Sequence, residues 1–341
     1  MTEAPERFDA YVERCLYHPT EGFYARGRGA GRRRDFITSP EVGPLYATVL
    51  GRAVDTWWDA LGRPDEFTVY DAGSGPGTLA AGLARHRGPA AAALRVVAVD
   101  PAPVGPAPRG VVRTAELPDE LGVAVVIANE LLDNLPFRVV RRETDGWAEL
   151  HVATVDGRPE PVWTPGAPGT PHPLAAFGVP PDDLPLRRPV PLLAAARAWV
   201  ADTIERGAAV VLVIDYGAAT TAELGERGGW LRTYRDHQRG DDPFVAPGSC
   251  DVTTDLAVDQ LPPPTGSATQ AEALRRWGID GLVAEGRRVW AERAARPDLE
   301  AMLMRSRVTE AGALLDPAGL GGWLVVEWLN DDRLRGRDPG R

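Results

Sequence analysis

The stretch Phe67-Thr-Val-Tyr-Asp71-Ala-Gly73-Ser-Gly75-Pro-Gly77-Thr78 decides the fold. A short run with β-branched and aromatic residues enters three glycines at alternate positions, and TLAAGLARH (78–86) then has the composition of a helix. Strand, glycine turn and helix in that order open a parallel-sheet unit. Glycine lets the backbone turn sharply and approach a ligand, and a fresh helix N-terminus offers unpaired N–H donors. Working outward, LRVVAVD (94–100), VAVVIANE (123–130) and AAVVLVIDYG (208–217) repeat the short apolar run that ends in polar side chains, and GGWLVVEWL (321–329) reads as a closing strand. Helix patterns between these runs predict a doubly wound α/β fold with a mostly parallel sheet.

Towards the N-terminus, VGPLYATVLGRAVDTWWDAL (42–61) has apolar residues at helical spacing, and Thr38 or Ser39 in DFITSPE is placed to cap it. Residues 1–34 read as a short helix and then a Gly/Arg/Tyr arm. Its run Arg26, Arg28, Arg32, Arg33 and Arg34 is either a contact for RNA or an acidic partner, or a solvated loop. RVVRRETDGWAELHVATVDG (138–157) predicts a hairpin, and the Pro/Gly-rich residues 157–190 an irregular insertion without a core of its own. LLAAARAWVADTIERG (192–207) predicts a helix, as do stretches around 268–277 and 283–314. The expected organisation is an arm and helical lid over 1–62 and a main domain over 63–341, with the insertion at about 137–190.

Composition narrows the function. Of 341 residues, 44% are hydrophobic and 25% charged, ordinary values for a globular chain, and every one of the 38 basic residues is Arg. A net charge of -10 disfavours a nucleic-acid backbone as main partner, since phosphate binding needs a basic field. Two cysteines without CxxC or Cys/His spacing remove disulfide scaffolds and structural zinc, and no metal site is expected. They fit a reducing, cytoplasmic location. No segment reaches the roughly 18 apolar residues of a membrane span, so no membrane insertion is expected.

The glycine loop has the spacing G-x-G-x-G. A dinucleotide fingerprint would place its third glycine at position 78, where Thr78 stands, which speaks against a nicotinamide dehydrogenase. With Asp71 two residues before Gly73, the loop resembles the first motif of class I methyltransferases, in which the acid helps to hold the methionine end of S-adenosyl-L-methionine, directly or through water. Asp100, at the end of the next strand, can accept hydrogen bonds from both ribose hydroxyls of a nucleoside, although strand-end aspartates also serve as helix caps. Glu116 is either an adenine-side contact or a surface acid.

The apolar run VAVVIA enters Asn129, Glu130 and Asp133 at the carboxyl end of a central strand, where open α/β sheets place their ligands. Two acids there suit a guanidinium acceptor: they can clamp its fork, polarise it and take the proton released as a methyl group arrives. A second polar group comprises Asp215 and Tyr216, then Tyr234, Arg235, Asp236 and His237; His237 is either a base or substrate contact or a hydrogen-bonded structural residue.

GFYARG (22–27), DFITSPEVGPLY (35–46), DAGSGPGTL (71–79), ANELLDNLPFRVV (128–140), VLVIDYG (211–217), LRTYRDHQRGDDPFVAPGSCDVTTDL (231–256) and ALLDPAGLGGWLVVEW (313–328) occur in an order that resembles the MidA family of methyltransferases. The resemblance implies a seven-stranded class I methyltransferase fold of Rossmann-like type, S-adenosyl-L-methionine as methyl donor, and a protein substrate. For the mitochondrial member, it implies symmetric dimethylation of an arginine in a respiratory complex I subunit. It also implies that Thr38, Ser39, Pro40 and Glu41 join Asp71, Gly73, Gly75, Gly77, Asp100 and Glu116 in the cofactor pocket. Asn129, Glu130 and Asp133 would lie beside the transferred methyl. The family motif has Glu where this chain has Asp71, and Arg where it has Pro76. Two other readings stay open: a small-molecule methyltransferase, and an assembly factor that binds the cofactor without turnover. Homo-oligomerisation is also left open.

Overall fold

The structure, a computed structural model, describes residues 4–26, 38–102, 105–235 and 238–335. It divides into two compact units. One takes in the described parts of residues 1–36, 130–202 and 215–264; the other takes in those of 37–129, 203–214 and 265–341. The expected boundary at residue 62 is therefore not a boundary between units, because the helix Pro44–Ala60 groups with the central sheet.

The second unit contains that sheet. Its strands, numbered in chain order, are β1 Phe67–Ala72, β2 Leu94–Val99, β3 Val111–Thr114, β4 Ala124–Asn129, β5 Val210–Asp215, β6 Gly266–Thr269 and β7 Leu324–Leu329. The spatial order is β6-β7-β5-β4-β1-β2-β3. β1 is parallel to both β2 and β4, β2 to β3 and β4 to β5, whereas β6 and β7 are antiparallel. The doubly wound, mostly parallel, seven-stranded expectation holds. Strand order reverses between β1 and β4, so the crevice at their carboxyl ends is where such a sheet receives a ligand. β4 and β5 are buried along their whole length, as unbroken Val/Ile/Ala runs require.

Helix Pro44–Ala60 buries Leu45, Tyr46, Val49, Leu50, Ala53, Val54 and Trp57, the face its spacing predicted. Glu310, on the helix Leu299–Leu314, accepts the Leu45 N–H at 2.8 Å and thus supplies an anion to the N-terminus of Pro44–Ala60. Gly43 makes room for it: a Cβ there would lie 2.3 Å from Glu310 Cδ. The stretch expected as one helix over 283–314 is two, Ile279–Arg293 and Leu299–Leu314. Pro297 disfavours helix in the residue before it, and Asp298 caps the second helix by accepting from Ala301 N at 2.7 Å.

The helix after the glycine loop, Thr78–Leu83, packs closely on Pro44–Ala60. A Cβ on Gly82 would stand 2.3 Å from Ala47 Cβ. Gly82→Ala is expected to destabilise the protein by about 1–3 kcal/mol, the usual cost of overpacking, and to displace the loop. Urea unfolding at equal slope measures this.

In the first unit, Arg138–Glu143 pairs with Gly146–Val155 as the expected hairpin, but the residues beyond it are not coreless. Arg158–Pro165 extends the sheet along Gly146–Val155, and Pro189–Leu192 pairs on the other side of Arg138–Glu143. Val140, Leu174, Val179, Leu184, Val190 and Leu192 form a buried cluster with Trp147 and Phe177 against it, which corrects the expectation of an irregular insertion. Proline content was misleading here for a positional reason. Pro159, Pro161 and Pro165 share one parity, and the even-numbered Gly166 directs its N–H to Trp147 O, so the prolines lie where an edge strand needs no donor.

Candidate functional site

In the second unit, β1 ends in Asp71 and Ala72, and Gly73, Gly75 and Gly77 all take the left-handed region, with φ of 69°, 50° and 81°. That conformation is the reason for three glycines. The loop is tied down by its own neighbours: Gly73 N and Ser74 N both donate to Val99 O, at 2.9 and 3.1 Å. Asp100 Oδ2 accepts from Gly75 N and Oδ1 from Ala102 N, each at 2.8 Å, so both of its oxygens are oriented and each keeps acceptor capacity. A Cβ on Gly75 would project into open space.

Asp71 is buried, and its Oδ2 accepts from Ala80 N at 3.0 Å, which holds the helix Thr78–Leu83 to the strand that precedes it. Burial first, and the Asp100 charge after it, push the Asp71 carboxyl up to about 7. Ser74 Oγ is buried with no hydrogen-bond partner among the described residues, a polar atom in the loop with spare bonding capacity.

Thr38 stands at the N-cap of the short helix Ser39–Val42 without a side-chain capping bond, and Pro40 occupies its first turn. Ser39 Oγ donates to Gln270 Oε1 at 2.9 Å, while Glu41 accepts from Thr78 Oγ1 at the head of the loop helix. Glu41 thus meets the glycine-loop helix, and Ser39 is engaged in the interior. Asn129, at the end of β4, accepts from Tyr46 Oη at 2.6 Å through Oδ1. Glu116 is exposed beyond β3.

In the first unit, the chain leaves β4 through Glu130, whose φ of 54° is left-handed. For a residue with a Cβ this conformation costs roughly 1–2 kcal/mol. The 3-10 turn Leu132–Asn134 follows. Asp215, fully buried, accepts from Leu132 N and Asp133 N through Oδ2 at 3.1 and 3.2 Å, and from Tyr216 N through Oδ1 at 2.9 Å. Asn134 Nδ2 and Tyr24 Oη donate to Asp251 Oδ1, at 3.0 and 3.2 Å, and Tyr216 Oη donates to Glu130 Oε2 at 3.5 Å.

Four acids are therefore gathered around one turn. Burial first, and the Glu130 charge second, push Asp215 up to about 8 against its three backbone donors. Asp133 lies well above the carboxylate range, through burial, then Asp215 and Asp251, with Arg232 pulling the other way. Its Oδ1 is buried without a partner among the described residues. Among the described residues this group holds more acids than bases.

Of the candidates read from the sequence, Glu130 and Asp133 stand together with Asp215 and Tyr216. His237 and Arg28, Arg32, Arg33 and Arg34 of the arm lie outside the described residues. Sequence reasoning passed over Asp251, Asn134, Tyr24 and Ser74. Asp251 and Asp255 stand in CDVTTDL, where two acids in a β-branched run were the available signal.

A family model described as a putative S-adenosyl-L-methionine-dependent methyltransferase matches residues 111–274. A crystal structure of a COG1565 superfamily member from Burkholderia thailandensis, bound to S-adenosyl-homocysteine, superposes with a TM-score of 0.74 at 27% identity, covering 94% of this chain and 87% of that one. This chain is an S-adenosyl-L-methionine-dependent methyltransferase.

The methyltransferase is 26% identical to the Drosophila melanogaster protein arginine methyltransferase NDUFAF7 homolog, mitochondrial, over 75% of this chain and 65% of the relative. It is also 26% identical to Xenopus tropicalis protein arginine methyltransferase NDUFAF7, mitochondrial, over 81% of this chain and 73% of the relative. The resemblance drawn from the motifs holds. The expectation of a cytoplasmic location does not, because these relatives are named as mitochondrial. It rested on cysteine usage, which reports a reducing environment and does not distinguish one reducing compartment from another. Among the described residues no helix is long and apolar enough to cross a membrane.

The residues of the glycine loop fit the cofactor: oriented Asp100 oxygens for a ribose, the unpartnered Ser74 Oγ and open space at Gly75 for close approach.

Proposed function

We propose that this methyltransferase methylates arginine side chains of a protein substrate. The observation that carries the reading is the acid group of Glu130, Asp133 and Asp215, in which burial first, and neighbouring acid charges second, raise two of the carboxyls, and in which an Asp133 oxygen has no partner among the described residues. A cationic, planar guanidinium supplies what this group lacks, and its arrival favours the ionised carboxylates. The relatives named as protein arginine methyltransferases support the same acceptor class.

Bound S-adenosyl-L-methionine supplies an electrophilic methyl on sulfonium. Asp71, Ser74, Gly75 and Asp100 would hold it, with Glu41 bracing the loop helix. Glu130 fixes the guanidinium fork, and Asp133 takes one proton from the attacking nitrogen as the N–C bond forms, so that the product keeps its single positive charge. Asp215 orients the turn that carries Asp133. A respiratory complex I subunit is the protein substrate to try first, by analogy with the relatives.

The test is transfer from labelled cofactor to arginine-containing and lysine-containing peptides, with mass spectrometry of the product. Methylarginine, reduced about tenfold or more in Glu130→Gln, is the expected outcome. Equal labelling of small-molecule acceptors, or full activity in Glu130→Gln, would overturn the reading.

A further inference from the structure

Arg232 lies on the strand Leu231–Arg235 of the first unit, with its side chain only 10% exposed. Its guanidinium forms an ion pair with Asp255, which also binds Arg227 of the helix Thr221–Arg227. Its Cζ stands 4.4 Å from the centroid of the Tyr216 ring. Tyr216 follows Asp215 and donates to Glu130. One buried cation thus touches a ring whose hydroxyl reaches one proposed substrate-binding acid, and its charge also acts on Asp133, the second.

We propose that Arg232 is a positioning residue: stacked on Tyr216 and anchored by Asp255, it holds the Tyr216 hydroxyl on Glu130 and supplies a compensating positive charge to Asp133. The inference rests on the arginine-methyltransferase reading for its catalytic consequence, while the charge coupling itself does not. A planar guanidinium suits this place. It can lie over an aromatic face and pair with a carboxylate in its own plane at once, which an ammonium cannot do. Anchoring by Asp255 keeps it from binding the acids outright, so they stay available to an incoming cation.

The groups that set the balance come from several elements. Asp133 is on the turn Leu132–Asn134, Asp215 at the end of β5, and Asp251 on the strand Asp251–Thr254. Burial first, and then Glu130, Asp133 and Tyr234, push the Tyr216 hydroxyl up, and Arg232 pulls it down. Asp251 is itself bound by Asn134 and Tyr24. Against these acids, and among the described residues, Arg232 is the cation that acts on both Asp133 and Tyr216. Arg227 is turned to Asp255.

The test compares wild type, Arg232→Met and Arg232→Lys in two measurements. In methyl transfer to an arginine peptide, the ascending limb of the kcat/KM profile should move to higher pH by about one unit in Arg232→Met, an about tenfold loss at pH 7 that shrinks by pH 9. Arg232→Lys, which restores charge but not stacking, should recover the position of the limb while kcat stays low. A loss of the same factor at every pH would mean that Arg232 is only structural, and would overturn the proposal. The second measurement needs no activity: the difference in thermal stability between wild type and Arg232→Met should widen as pH rises from 5 to 9. A difference that stays constant overturns the charge coupling whether or not arginine is the acceptor. Absence of methylarginine from wild type with a widening stability difference sinks the function reading alone.

Discussion

Asp133→Asn is expected to make the protein more stable at alkaline pH and to abolish most of its turnover. The sign follows from the direction of the shift. Asp133 in the folded protein lies well above its unfolded value of about 3.9, so ionising it costs stability progressively as pH rises from about 4, and nothing below that. Asparagine carries no such cost. Its amide also offers a donor to a neighbourhood rich in acceptors, and among the described residues Asp133 Oδ1 makes no hydrogen bond that the change would break. A gain on the order of 1–3 kcal/mol at pH 9, vanishing near pH 4, is expected from thermal or denaturant unfolding. Turnover on an arginine peptide should fall by about 10²–10⁴, the contribution of a positioned general base. Asp133 and Asp215 titrate as a pair, so the pH profile of the wild type reports the pair and not either carboxyl. A variant less stable than wild type at pH 9 would contradict the electrostatic account; one that is more stable and fully active would remove Asp133 from the chemistry.

Asp100→Ala should weaken S-adenosyl-L-methionine by about ten- to a hundredfold, that is by about 1.5–3 kcal/mol, measured by calorimetric titration. Two losses combine. The ribose hydroxyls lose charge-assisted acceptors, and Gly75 N loses its partner at 2.8 Å, which loosens the loop that must approach the ligand. Asp100→Asn separates them, since its amide oxygen can still accept from Gly75 N without carrying charge. Unchanged affinity in a folded Asp100→Ala protein would move the ribose site elsewhere.

The parallel sheet and its order of elements were legible because they rest on local signals. β-branched runs, glycines at positions 73, 75 and 77 and helix periodicity over 44–60 each state their own conformation within a dozen residues. Asp71, Asp100, Glu130 and Asp133 were legible for the same reason, as polar residues at the carboxyl ends of apolar strands. The insertion was not. Pro159, Pro161 and Pro165 look like breakers in one dimension, and only pairing along Gly146–Val155 turns their missing donors outward.

What the sequence by itself determined is the strand-turn-helix alternation, hence the fold class, and the chemical inventory at the strand ends. What only the tertiary structure decided is which of those groups share one electrostatic environment. Asp133, Asp215 and Asp251 are separated by more than a hundred residues along the chain, from the first to the last, yet Asp215 and Asp251 both act on the Asp133 carboxyl. Arg232 reaches Tyr216 by lying over its ring. Charge coupling falls off with distance in space and is indifferent to distance along the chain, so burial and neighbours, the two quantities that set these acids apart, do not exist until the chain has folded.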